Sequence, residues 1–140
     1  TEQKKNFLRG EILEIEESSS ERVQPPCEYF TRCGGCELQH LSYSRQLSWK
    51  EQMIRGALAA GKCSQEVLER LRPLRPSAPY GYRRRLTLHL DRSGLLGLYR
   101  AGSRSVVPIE RCHIAVPELS EVIAALSAVT HKLSSRISTV

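Results

Sequence analysis

Cys27, Cys33 and Cys36 fall within ten residues, in the pattern C-x5-C-x2-C with Gly34 and Gly35 filling the last gap. Three thiolates in so short a stretch require the backbone to curl around a single centre. Glycines there supply positive-φ geometry and let peptide N–H groups approach the sulfurs, which lowers the cost of gathering negative charge. Three local cysteines plus one distant one is a recurring way to hold an iron-sulfur cubane, and Cys112 is the natural fourth. Zinc is the alternative. Zinc sites more often use two pairs of close ligands, and no second Cys-x2-Cys or histidine pair stands near Cys112. His40 and His113 could each substitute as a ligand. Cys63 has no partner in the pattern and reads as a spare buried thiol.

Charge adds a second constraint. The net +6 is uneven: residues 1–30 hold four basic and seven acidic side chains, whereas Arg70 to Arg111 holds ten arginines and no lysine against only Asp91 and Glu110. Guanidinium forks match phosphate oxygens and stack on bases, so this bias suggests a polyanion partner; a solvated charged surface is the plain counterpart. The 140 residues are enough for one ordinary domain, burying about 65–70% of the surface its unfolded chain exposes. No apolar run approaches the roughly 18 residues of a membrane span. Thr1 to Gly10 has no apolar core behind its basic residues and does not read as a signal peptide. Five cysteines in such a chain are seldom disulfides, since the cytosol keeps thiols reduced. A cytoplasmic location with no membrane partner is expected.

Phe7 to Glu16 alternates imperfectly and reads as a short strand, and Ser18 to Pro26 as a polar boundary ending in a proline pair. Tyr43, Leu47, Ile54 and Leu58 recur at helical spacing, with Ser42 to cap the start and Gly61 the end. Cys63 to Leu71 suggests another short helix. Tyr82 to Leu90 alternates, with Tyr82, Leu86, Leu88 and Leu90 on one face and Arg83, Arg85, Thr87 and His89 on the other; Arg84 shares the leucine face. Turns at Asp91–Gly94 and Ala101–Arg104 separate strands at Leu95–Arg100 and Ser105–Ile109. Pro117 opens an amphipathic helix carrying Leu119, Val122, Ile123, Leu126, Val129 or Thr130, and Leu133. The expected fold is α+β: an antiparallel β-meander packed with helices around a cysteine-rich cluster loop.

The run from Pro25 to His40, with Pro25-Pro26-Cys27 and Cys33-Gly34-Gly35-Cys36-Glu37-Leu38-Gln39-His40, closely resembles the iron-sulfur loop of bacterial RNA (uracil-5-)-methyltransferases, especially the 23S ribosomal RNA members. Gln46-Leu47 with Trp49-Lys50 looks like the helix after that loop. Gly81-Tyr82-Arg83-Arg84-Arg85 looks like the family's basic strand, and Ala101-Gly102-Ser103 through Val107 to Cys112 like the approach to the fourth ligand. The resemblance implies a 4Fe-4S cluster on Cys27, Cys33, Cys36 and Cys112. It also implies that residues 1–17 end an N-terminal TRAM-like barrel and that 18–140 form the central iron-sulfur and RNA-binding domain. In that family a cysteine thiolate adds to C6 of uracil, S-adenosylmethionine methylates C5, and a base removes the C5 proton. No glycine turn after a strand and no Asp-Pro-Pro-Arg segment before a cysteine occurs here. S-adenosylmethionine and catalysis are therefore expected in a domain absent from this chain.

The leading expectation is a cluster-bearing RNA-recognition part of an RNA uracil-C5 methyltransferase, its RNA ribosomal or transfer RNA and not DNA. Arg83, Arg84, Arg85 and His40 are the candidate RNA contacts, with Tyr29 and Phe30 either stacking on bases or packing round the loop. An electron-transfer or redox-sensing module and a zinc-stabilised binding module are the alternatives.

Overall fold

A computed structural model describes residues 2–4, 7–10 and 12–137. Its first strands, β1 (Glu2–Lys4) and β2 (Phe7–Arg9), pair antiparallel. The expected strand to Glu16 is thus confined to its beginning. Glu11 and the side chain of Leu8 lie outside the described residues; residues 12–15 form no strand, and Leu13 is 96% exposed.

Helix α1 (Tyr43–Ala60) has the expected bounds. Ser42 Oγ accepts the Arg45 N–H, and the Gly61 N–H returns to the Ala57 carbonyl, so orphan groups at both ends are satisfied. Its expected apolar face is not buried: no α1 residue is, and Ile54 lies open. Polar ties hold it instead. Arg55 binds Glu51 and reaches the carbonyls of Leu68 and Leu71, which fastens α2 (Gln65–Glu69), and Tyr43 Oη accepts the Ser77 N–H at 3.0 Å.

Three strands, β3 (His89–Leu90), β4 (Leu96–Tyr99) and β5 (Val106–Pro108), form an antiparallel sheet in the order β3-β4-β5. Gly97 sits between His89 and Pro108 in the register, and a Cβ there would fall inside the Val107 carbonyl. The strand expected from Tyr82 is shortened to His89–Leu90. Its early part finds a different partner: Arg83 bridges Ala115 in parallel, donating to the Ile114 carbonyl at 2.7 Å and accepting the Val116 N–H. Freed from the meander, Tyr82 and Arg84, both expected on the leucine face, are exposed, as are Arg83 and Arg85.

Helix α3 (Pro117–Ile137) buries Ile123, 2% exposed, beside Val107 and Ile109, with Tyr29, Leu86, Leu88, Leu98 and Cys112 packed around them. Only one side of the expected face is used. Leu119, Ser127 and Thr130 turn inward while Val122, Leu126 and Val129 are exposed, and the Leu133 side chain lies outside the described residues. The architecture is the expected α+β, with a small core: among the described residues the buried hydrophobic side chains are Val107, Ile109, Ile114, Ala115 and Ile123. Among the described residues no helix is long and apolar enough to cross a membrane.

Candidate metal centre

The cysteine loop starts with a tight turn. The Phe30 N–H returns to the Cys27 carbonyl, the Arg32 and Cys33 N–H groups both reach the Tyr29 carbonyl, and Thr31 takes the left-handed conformation at φ 72°. Positive φ was expected at Gly34 and Gly35, yet among the described residues of the loop only Thr31 shows it. The glycines serve close approach. A Cβ on Gly34 would lie 2.9 Å from the Ala101 nitrogen, and the Gly35 N–H points to Cys33 Sγ at 3.4 Å.

Three ties bring this loop to Cys112. Cys33 bridges Arg100 at the end of β4, where the Gly34 N–H donates to the Tyr99 carbonyl at 2.9 Å. Glu28, next to Cys27, pairs with Arg111, next to Cys112, at 3.0 Å. Tyr29 passes under the loop, its Oη accepting the Glu110 N–H at 3.1 Å. From the other side, Ser120 in the first turn of α3 donates to the Cys112 carbonyl and accepts its N–H.

The outcome is one cavity of about 330 Å³ whose wall includes Cys27, Cys33, Cys36 and Cys112. Cys63 follows α1, with its N–H on the Leu58 carbonyl, and is not in that wall. Burial pushes the Cys27 and Cys36 thiols above their usual range. The Tyr29 peptide N–H opposes this at Cys27 and the Gln39 amide at Cys36, while the neighbouring cysteines add to it. A cation entering the cavity would release those protons and make the thiolates the favoured form. Two buried polar atoms in the wall, Gln39 Oε1 and His113 Nε2, have no hydrogen-bond partner among the described residues. Such atoms cost stability unless something in the cavity meets them. Among the described residues no three His, Cys, Asp or Glu side chains already form a group that could hold a single metal ion. The fit therefore rests on which groups share the cavity, and four thiols suit a cluster held through cysteine sulfur.

The other expected residues are spread around this centre. Arg83 lines the cavity; Arg84 and Arg85 do not. His40 lies behind the loop, its ring 5.8 Å from that of Phe30, in a separate hollow with Arg22 and Pro26. His113, weighed only as a substitute ligand, is in the cavity wall. Sequence reasoning did not single out Tyr99 and Arg100, which also line it, because their strand carries no cysteine and nothing local separates Arg100 from the other arginines between Arg70 and Arg111.

No protein-family model matches the chain. Individual relatives do. A 23S rRNA (uracil(1939)-C(5))-methyltransferase from Shewanella sediminis is 37% identical over 141 residues, covering 97% of this chain and 31% of that protein. The same-named enzyme of Shewanella amazonensis is 36% identical over 140 residues, with the same coverage. That of Shewanella baltica strain OS195 is 35% identical over 147 residues, or 99% of this chain. The chain thus spans about a third of the length of the curated relatives it matches. Along nearly all of its own length, it matches a fragment of an RNA uracil-C5-methyltransferase.

Proposed function

We propose that this chain is the cluster-bearing RNA-recognition portion of an S-adenosylmethionine-dependent methyltransferase acting on uracil C5 in 23S rRNA. In this reading residues 1–17 end a TRAM-like barrel, 18–140 form the central domain, and the protein works in the cytoplasm. Cys27, Cys33, Cys36 and Cys112 hold one 4Fe-4S cluster, and Cys63 takes no part. S-adenosylmethionine and methyl transfer belong to a part of the enzyme outside this chain. The observation that carries the proposal is that four cysteines from two distant segments line one cavity of about 330 Å³. Support also comes from the two unpartnered polar atoms in its wall and from the similarity to the uracil-C5 methyltransferases.

When bound, such a cluster supplies four iron–sulfur tethers and a redox-active charge at the meeting point of the two segments. The chain's own residues do the rest. Tyr29 and Ser120 hold the loop and Cys112 in register, Gly35 offers a peptide N–H to a ligating sulfur, and leucines of the core exclude water from one side. Arg83, Arg84 and Arg85, all exposed, offer phosphate contacts, and His40 adds one only where RNA passes behind the loop.

Protein purified without air is expected to be brown and to contain iron and sulfide in equal amounts. Cys112→Ser should lose the cluster while Cys63→Ser keeps it. Equal iron in the wild type and Cys112→Ser would sink the ligand assignment, and a colourless protein with one bound zinc would replace the cluster with a zinc site.

A further inference from the structure

Beside the cysteine cavity two aromatic rings lie flat on one another. The His89 and Tyr99 centroids are 3.6 Å apart and their planes differ by 11°. Strand register explains the pair. His89 stands opposite Gly97, which has no side chain, so the imidazole can lean diagonally onto the ring two residues further along β4. Tyr99 is 37% exposed, and both rings are in the wall of the cavity that the four cysteines share. Arg83 and Arg100 share that wall, and among the described residues neither pairs with a carboxylate. Arg111, also there, is already engaged by Glu28.

We propose that the His89–Tyr99 stack is a platform for one unpaired RNA base at the edge of the cluster cavity, with Arg100 and Arg83 taking the phosphates on either side of it. A stack of two rings still has two outer faces, and a flat, partly exposed aromatic face in one cavity wall with guanidinium groups free of carboxylates is an arrangement that single-stranded nucleic acid binds. The platform is fixed relative to the cluster loop. Tyr99 accepts the Gly34 N–H, and Arg100 bridges Cys33. Base and cluster would then be neighbours through one residue's backbone. The proposal rests on the RNA-recognition reading, and it moves the specific contact from the arginine run to β4.

The test uses cluster-loaded protein and a hairpin RNA with 2-aminopurine in its single-stranded loop. Stacking should quench the probe on binding. Tyr99→Leu should weaken binding about 10- to 100-fold with the salt slope unchanged, because base stacking releases no counterions. Tyr99→Trp should bind like the wild type. Arg100→Gln should weaken binding and flatten the slope by about one unit. A wild type that binds the hairpin without quenching, or a Tyr99→Leu variant that binds as tightly, overturns the platform and leaves the RNA reading standing. A Tyr99→Leu variant that melts earlier yet keeps full affinity assigns the stack to packing under another protein segment. A wild type that binds no RNA overturns both readings.

Discussion

At the residue scale, two glycines show how differently one deletion of a side chain can be used. Gly97 is buried between β3 and β5, and a methyl group there would meet the Val107 carbonyl, which belongs to the sheet and cannot swing aside. Gly56 lies in α1 with nothing within 4 Å of its would-be Cβ. Gly97→Ala is expected to lose about 2–3 kcal/mol by forcing the strands apart, and Gly56→Ala to gain about 0.5–1 kcal/mol of helix stability. Denaturant melts of the two variants check this, and a neutral Gly97→Ala would show that the sheet tolerates a wider spacing. Asp91 gives a pH prediction. The Ser93 hydroxyl, then the Leu95 and Ser93 N–H groups, favour its charged form and hold its carboxyl below the usual carboxylate range. A carboxyl depressed on folding stabilises the turn at pH above its ordinary value and stops doing so as pH falls through the depressed one. Asp91→Ala should therefore speed amide exchange at Leu95 near neutral pH, with the difference from wild type closing in acid. A difference that persists once the Asp91 carboxyl is protonated would credit the neutral side chain and not its charge, and no difference at neutral pH would leave the turn to Gly94.

At the scale of elements, α3 was readable as a helix but not as a surface. Its large apolar residues share an arc of about 120° at 3.6 residues per turn, and only the packing partner decides which edge of that arc is covered. Val107 and Ile109 choose Ile123, leaving Val122 and Leu126 outside. Ile123→Ala should cost about 2–5 kcal/mol, whereas Val122→Ala should stay within about 0.5 kcal/mol. Comparable losses in thermal melts would mean that Val122 is covered in solution. The same distinction explains what else the sequence showed. Caps at Ser42 and Gly61 are local chemistry, so the bounds of α1 were legible; the burial of its face depends on neighbours, and Arg55 reaching the Leu68 and Leu71 carbonyls has no periodic signature. Tyr82 to Leu90 alternates like a strand because alternation reports two faces, not a partner. Arg83 found its partner in the segment after Cys112, a long-range pairing that no local pattern encodes. The closeness of the three loop cysteines was legible because spacing is itself the constraint, whereas the shared cavity with Cys112 depends on the fold. The His89–Tyr99 stack was not legible either, since it depends on the register that places Gly97 opposite His89.

At the scale of the whole molecule, a core this small must be helped by something else. Among the described residues five hydrophobic side chains are buried: Val107 and Ile109 in and after β5, Ile114 and Ala115 just before α3, and Ile123 within it. The cysteine loop touches that core mainly through Tyr29, and α1 and α2 attach by polar ties. Surface ion pairs such as Glu28–Arg111 contribute little on their own. Four bonds from one cluster to Cys27, Cys33, Cys36 and Cys112 would instead close the long loop between the two segments, and binding free energy at such a site is folding free energy. Removing the cluster with a chelator under oxidising conditions should therefore cost about 4–5 kcal/mol, the scale of a single cross-link over a loop of this length, or roughly 15 °C in Tm. The loss should be local in character: faster amide exchange across the loop and the approach to Cys112, with the Asp91 turn unchanged until the main transition. Melts of the loaded and stripped protein, read with exchange at the Gly34 and Cys33 amides, check it. Coincident melts and unchanged exchange would mean that the tyrosine, serine and ion-pair ties already hold the cavity closed, and that the cluster adds chemistry and not structure.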